Sequence, residues 1–115
     1  MAPNDPTSDW QRGTLRLSLA AVLAEGDGHG YALVQRLAEY GLGAVRGGAL
    51  YPVLGRMETD GLVESRWEAG DGGPGRKVYS LTEDGRARLR DEITRWQSFA
   101  EAMNQLMEHA DKELP

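Results

Sequence analysis

Leu62-Val63-Glu64-Ser65-Arg66-Trp67-Glu68-Ala69-Gly70-Asp71-Gly72-Gly73-Pro74-Gly75-Arg76-Lys77-Val78-Tyr79-Ser80-Leu81 is the stretch that decides the fold. Both of its ends are strand-like. Leu62 to Glu68 carries Val63 and Trp67, and Lys77 to Leu81 carries Val78, Tyr79 and Leu81, residue types that suit a pleated, half-buried surface. The middle, Ala69 to Arg76, is mostly glycine with one proline, and only a loop accommodates it. Strand, glycine-rich loop and strand make a β-hairpin with a long tip. Gly70-Asp71-Gly72-Gly73-Pro74-Gly75 formally matches the dinucleotide pattern G-x-G-x-x-G. That fingerprint needs a helix straight after the glycines, and here a strand follows, so the dinucleotide reading is rejected.

Helices flank the hairpin. Before it, Leu15, Leu19, Val22 and Leu23 recur at helical spacing, and Gly26-Asp27-Gly28 ends this first helix near Glu25. A second helix is expected from about Gly30 to Tyr40, with Tyr31, Val34, Leu37 and Ala38 as its buried stripe and Gly41-Leu42-Gly43 as its stop. A third runs from Gly47-Gly48 to Asp60 on an inner face of Leu50, Val53, Leu54 and Met57. Pro52 is expected within its first turn or so, where a missing N–H costs little. Gly61 ends it as a left-handed cap, with Leu62 as the apolar contact beyond. After the hairpin, Thr82 is a good N-cap, and Glu83 and Asp84 suit the start of a helix. This long fourth helix reaches about Glu108, with Leu89, Ile93, Trp96, Ala100, Met103, Met107 and Ala110 spaced in alternating fours and threes, a heptad-like seam. Phe99 and Leu106 widen it.

Three helices, a two-stranded wing and a long helix make a mainly α fold with a small β-hairpin: a winged helix-turn-helix plus a C-terminal dimerisation helix. The expected division is a flexible tail over 1–12, the winged helix over 13–81, the dimerisation helix over 82–110 and a short tail over 111–115. The chain of 115 residues suits one domain, and a chain of this size often gains stability by pairing.

Composition narrows the function. There is no cysteine, which removes disulfides and thiolate zinc sites and fits a reducing cytosol. The first residues have neither a basic nor an apolar stretch, so no signal peptide is expected, and no apolar run is long enough to cross a bilayer. His29 and His109 are the only histidines and share no metal-ligand spacing. His29 reads as a helix-start residue. No serine sits in a nucleophile elbow. The pairs Glu83-Asp84 and Asp91-Glu92 diverge around a helix surface, so they are solvated charges and not a catalytic dyad. No enzyme, cofactor or metal is expected. The net charge of −5 is awkward for a nucleic-acid binder. Its distribution softens the objection. Glu101, Glu108, Asp111 and Glu113 crowd the end of the chain, whereas Arg76, Lys77, Arg86, Arg88, Arg90 and Arg95 enrich the stretch after the wing tip.

Several segments resemble one family. Gly28-His29-Gly30-Tyr31, Ala49-Leu50-Tyr51-Pro52-Val53-Leu54, Arg56-Met57-Glu58-Thr59-Asp60-Gly61-Leu62-Val63 and Gly73-Pro74-Gly75-Arg76-Lys77-Val78-Tyr79-Ser80-Leu81-Thr82-Glu83-Asp84-Gly85 are similar, in order and spacing, to the signature of PadR-type transcriptional regulators. The resemblance covers roughly residues 13 to 108. It implies a cytoplasmic, nucleoid-associated homodimer, repressor-like, that binds a pseudo-palindromic double-stranded operator and is released by a small molecule. The chain departs from the family at Arg46, Gly47, Gly48 and Ala49, where the usual capping hydroxyl and a phosphate-contacting threonine are missing and Arg46 supplies a charge instead.

The candidate DNA contacts are Arg46, Gly48, Ala49, Tyr51 and Arg56 on the third helix and Arg76 and Lys77 on the wing. Tyr51 equally suits packing against the wing, Arg56 plain solubility, and Arg76 and Lys77 a charged strand edge. The candidate dimer interface is Leu89, Ile93, Trp96, Phe99, Ala100, Met103, Leu106 and Met107. Trp96, Ala100 and Met103 are the candidate site for a planar aromatic effector: a flat π-face, a small neighbour and an adaptable one. Core packing is the competing role for Trp96. The alternative function is a winged-helix module whose main partner is a protein.

Overall fold

The computed structural model describes residues 5–70 and 72–115. The elements follow the expected order with one addition: α1 (Thr7–Glu25), β1 (Gly28–His29), α2 (Gly30–Glu39), α3 (Gly47–Thr59), β2 (Val63–Glu68), β3 (Arg76–Leu81) and α4 (Glu83–Glu113). The wing is an antiparallel pair in register from Val63 opposite Leu81 to Glu68 opposite Arg76. The addition is β1. Gly28 pairs with Tyr79 and His29 with Val78, giving a three-stranded sheet in the order β1-β3-β2. The segment expected only to end the first helix therefore also ties the helices to the wing.

The core lies where α1, α2, α3, the sheet and the start of α4 meet. Leu19, Leu23, Leu33, Leu37, Leu50, Leu54, Met57 and Val63 are its fully buried members. The expected stripe of α1 holds: Leu15, Leu19, Val22 and Leu23 are all buried. The stripe of α2 holds only in part. Gly30, Leu33 and Leu37 face inward, whereas Tyr31 and Ala38 are exposed and Val34 is half-buried. The pairing of β1 with β3 fixes how α2 enters, and it sets Gly30 against α3. A Cβ there would stand 2.5 Å from the Tyr51 hydroxyl and 3.1 Å from Leu50, so a larger residue would displace the Tyr51 ring from its seat on α2.

All three helix stops expected at glycine are present, Gly26 as the C-cap of α1 and the other two beyond α2 and α3. Gly41 and Gly61 take φ of 81° and 75°. Beyond α3, Leu62 N–H donates to the Met57 carbonyl at 2.9 Å and Gly61 N–H to that of Glu58 at 3.1 Å, the paired bonds of a Schellman cap. Pro52 corrects the reading. The first intrahelical bond runs from Leu50 N–H to the Arg46 carbonyl, which makes Pro52 the sixth residue of α3. Its ring thus removes a bond that would have reached Gly48, and Gly48 is exposed to solvent.

Two boundaries also differ. The tail expected over 1–12 is helical from Thr7, while residues 1–4 lie outside the described residues. The Asp5 carboxylate accepts the backbone N–H of Thr7 at 3.0 Å and its hydroxyl at 2.7 Å, and Pro6 holds a φ of −67° at the N-cap. These features start α1 early, and Gln11 Nε2 donates to the Leu42 carbonyl at 2.8 Å, tying the added turns down. At the other end α4 continues through 111–113 to Glu113, since nothing before Pro115 breaks it.

Within α4, Gly85 and Leu89 are buried. The Thr82 hydroxyl accepts Gly85 N–H at 3.0 Å and donates to the Gly61 carbonyl at 2.6 Å, so one cap joins the end of α3 to the start of α4. Arg16 grips Glu92 through two bonds, 2.9 and 2.5 Å, and fixes α4 on α1. From Ile93 onward almost every residue of α4 is exposed.

Candidate nucleic-acid interface

α3 buries Leu50, Leu54 and Met57 and turns Gly48, Tyr51, Pro52, Gly55 and Arg56 outward. Arg46 occupies its N-cap with extended backbone and no side-chain capping bond, as the missing hydroxyl implied. Arg46 and Arg56 are exposed and about 15 Å apart along the axis at 1.5 Å per residue. Ala49 is half-buried against the core. Tyr51 lies over Gly30 at the start of α2 and remains 53% exposed.

The wing tip depends on its glycines. A Cβ on Gly70 would stand 2.6 Å from the Pro74 carbonyl oxygen, and one on Gly75 would stand 3.0 Å from that of Glu68. Asp71, in this tip, lies outside the described residues. Past the tip, Arg76 and Lys77 differ in character. Arg76 is exposed, and among the described residues no ion pair involves it. Lys77 Nζ stands 3.5 Å from Glu58 and 5.6 Å from the centre of the Tyr79 ring. The Ser65 hydroxyl, and then Lys77, hold the Glu58 carboxyl below its usual range. Arg66 engages Asp27 at 3.0 Å and Glu68 at 2.8 Å, keeping both carboxylates occupied.

Between α2, α3 and the wing runs an open groove of about 740 Å³ lined by His29, Tyr31, Tyr51, Trp67, Arg76 and Lys77, among others. Three of these were missed from sequence. Trp67, expected as a bulky strand residue, is 73% exposed, and Tyr31, expected in the core, is 67% exposed. His29 caps α2 as expected, but its ring also reaches Arg76. The Gly-His-Gly-Tyr run was the available signal, and only the β1 pairing shows where it points.

The seam of α4 divides. Leu89, expected between subunits, is only 5% exposed and packs in the chain's own core. Ile93, Trp96, Phe99, Met103, Leu106 and Met107 are 42–58% exposed, and Ala100 is half-buried. The core-packing reading of Trp96 is not met in this single chain. The indole lies 6.0 Å from Phe99, ring centre to ring centre. It also borders an apolar groove of about 480 Å³ between α1 and α4, together with Trp10, Leu15, Leu42, Leu89 and Ile93. Ala100 and Met103 lie outside that groove, so the three residues expected to form one effector site are not brought together in it. Ala100 joins Trp96 in a shallow recess with Gln97, Glu101 and Asn104. Trp10 was missed because residues 1–12 read as a tail.

Among the described residues no group of three or more His, Cys, Asp or Glu stands close enough to hold a metal. No described helix is long and apolar enough to cross a membrane.

An outward-facing third helix, a hairpin with an exposed arginine and a projecting helix with an apolar seam suit a winged-helix protein, and the family match makes it a DNA-binding transcriptional regulator. The model of the transcriptional regulator PadR-like family matches residues 19–91, and the chain belongs to that family. It is 39% identical over 84 residues to a transcriptional regulator of Mycobacterium tuberculosis, Rv3488, covering 73% of this chain and 77% of that one. A PadR family regulator from Eggerthella lenta superposes with a TM-score of 0.75 at 34% identity, over 87% of each chain. A PadR-like transcription factor from Bacteroides fragilis gives 0.72 at 30% identity, over 86% of this chain and 95% of that one. The protein is a regulator and not an enzyme.

Proposed function

We propose that this PadR-like regulator works as a homodimer that binds a pseudo-palindromic operator, represses transcription there, and is released by a planar aromatic effector. The supporting observation is the free seam of α4. Six large apolar side chains from Ile93 to Met107 stand 42–58% exposed on one projecting helix, which is more than a soluble monomer usually leaves open. A second α4 covers them and sets two copies of α3 side by side, as an operator with two half-sites about one turn apart requires. Arg46, Gly48, Tyr51 and Arg56 then face the major groove, with the half-buried Ala49 at its edge, and Arg76 and Lys77 face the backbone. The acidic end of α4 points away from the duplex in this arrangement, which reconciles a net charge of −5 with DNA binding. As a regulator of genes the dimer works in the cytoplasm, at the nucleoid.

Size exclusion with light scattering tests the assembly: a dimer is expected at micromolar concentration, and a stable monomer overturns the reading. The effector part rests on the apolar groove beside Trp10 and Trp96. A ligand wedged there acts only by preferring the released arrangement of the two α4 helices. Planar aromatics are expected to quench tryptophan fluorescence saturably, and Trp96→Phe to reduce the saturable part to the share of Trp10, which lines the same groove. Quenching unchanged by that substitution refutes the effector site.

A further inference from the structure

One imidazole receives two claims. The Ala32 backbone N–H donates to His29 Nδ1 at 3.4 Å, and Arg76 Nη1 stands 3.3 Å from His29 Nε2. Neutral histidine has one acceptor nitrogen and one N–H. It satisfies the helix or the arginine, not both. The claim of Ala32 prevails, because that N–H belongs to the first turn of α2 and has no intrahelical partner, whereas Arg76 is a long, exposed side chain. Nδ1 is therefore the acceptor and Nε2 carries the proton. Two donors, His29 Nε2–H and the Arg76 guanidinium, then face one another across 3.3 Å with no acceptor between them.

We propose that His29 and Arg76 together seat one phosphodiester of the DNA backbone in the groove between α2, α3 and the wing. One phosphate oxygen accepts from both donors, which turns an opposed pair into a shared bond. Three further observations support an anion at this point. The groove is open and wide enough, at about 740 Å³. The nearby carboxylates are occupied elsewhere: Asp27 and Glu68 hold Arg66, and Glu58 holds Lys77. Tyr51, which carries a hydroxyl donor, lines the same groove. His29 is held by α2 and Arg76 by β3, so one phosphate bridges the helical half to the wing and fixes the angle between them on the duplex.

This inference rests on the DNA-binding reading, and the two fail differently. The probe is a fluorescent duplex of mixed sequence, about 30 base pairs, because phosphate contacts act on all sequences alike. His29→Ser keeps a capping oxygen for α2 and removes Nε2–H, and His29→Asn is a second variant of the same kind. Each is expected to lower affinity about tenfold, the scale of one hydrogen bond to a charged group, with little change in salt slope because neutral histidine releases no counterion. Arg76→Ala is expected to lower affinity and flatten the slope by about one. The double variant His29→Ser/Arg76→Ala is expected to lose less than the sum, since both groups hold one phosphate. Parental affinity in both His29 variants, or fully additive losses, overturns the phosphate seat and leaves DNA binding intact. A second arm follows the His29 ring signals by NMR during titration with inorganic phosphate. Saturable shifts that Arg76→Ala abolishes support the seat even if the duplex does not bind, in which case the DNA reading falls and the anion site stands.

Discussion

Gly85 carries a constraint that no local pattern reveals. In sequence it is a glycine in the first turn of a long helix, where alanine is the better helix former by about 1 kcal/mol. In the fold a Cβ there would collide with the Leu62 carbonyl oxygen and press the Leu81 side chain at 3.2 Å. That carbonyl also accepts Thr82 N–H at 3.0 Å, so it cannot retreat without breaking a bond. Gly85→Ala is expected to destabilise the protein by about 2 kcal/mol, seen as a lower urea midpoint. A midpoint at or above the parent's refutes the close approach of Leu62 to α4. Glu92 is a second residue whose partner lies far away in the chain. The Arg16 guanidinium, and then its charge and that of Arg88, hold the Glu92 carboxyl below the usual range against the opposing effect of burial. The folded carboxyl is thus the stronger acid, and its contribution to stability is whole above the unfolded pKa of about 4.3. It is lost as pH falls through the lowered folded value. Glu92→Gln is expected to cost about 0.5–1 kcal/mol at pH 7, after allowing for solvent at Arg16, and to lie closer to the parent at pH 3. Denaturation curves at the two pH values decide it.

Helices and strands read well from sequence wherever one face meets one core. α1 and α3 show it: Leu15, Leu19, Val22 and Leu23, and Leu50, Leu54 and Met57, are buried as their spacing says. In α2 only part of the expected stripe faces inward: Leu37 is buried and Val34 half-buried, whereas Tyr31 and Ala38 are exposed and Leu33 is buried in their place. The pairing of β3 with β1, a strand of two residues with no periodicity to detect, brings His29 to the wing. In the wing the sequence ranks Arg76 and Lys77 alike, and the tertiary partner separates them. Glu58 already offsets much of the Lys77 charge, so Lys77→Ala is expected to flatten the salt dependence of DNA binding by clearly less than one unit, against about one for Arg76→Ala. Equal slopes for the two variants refute that distinction.

The whole molecule measures 59 × 35 × 21 Å, and α4, about 46 Å long at 1.5 Å per residue, accounts for its length. Only the first turns of this helix belong to the chain's own core. The remainder carries the exposed seam that the proposed second copy would cover. Charges placed in that seam are expected to separate the subunits: Met103→Glu with Met107→Glu shifts the light-scattering mass from dimer to monomer and weakens operator binding by more than tenfold, since two α3 helices no longer dock together. A double variant that remains dimeric shows that the subunits meet elsewhere.

By itself the sequence determined the order of the four helices and the hairpin, the winged-helix class and the apolar seam, because each is written in local spacing: periods of helix and strand, a glycine-rich tip, caps at Thr82 and Gly61. It also carried the family, through runs that keep their order along the chain. Only the tertiary structure decided that Leu89 belongs to the core and Ile93 does not, that Trp10 stands beside Trp96, and that His29 faces Arg76. Those facts depend on how elements cross, and crossing is set by pairs far apart in sequence: His29 with Val78, Arg16 with Glu92, Gly30 with Tyr51. Spacing along the chain fixes which face is apolar, but the angle at which that face meets its neighbour is fixed by the neighbour.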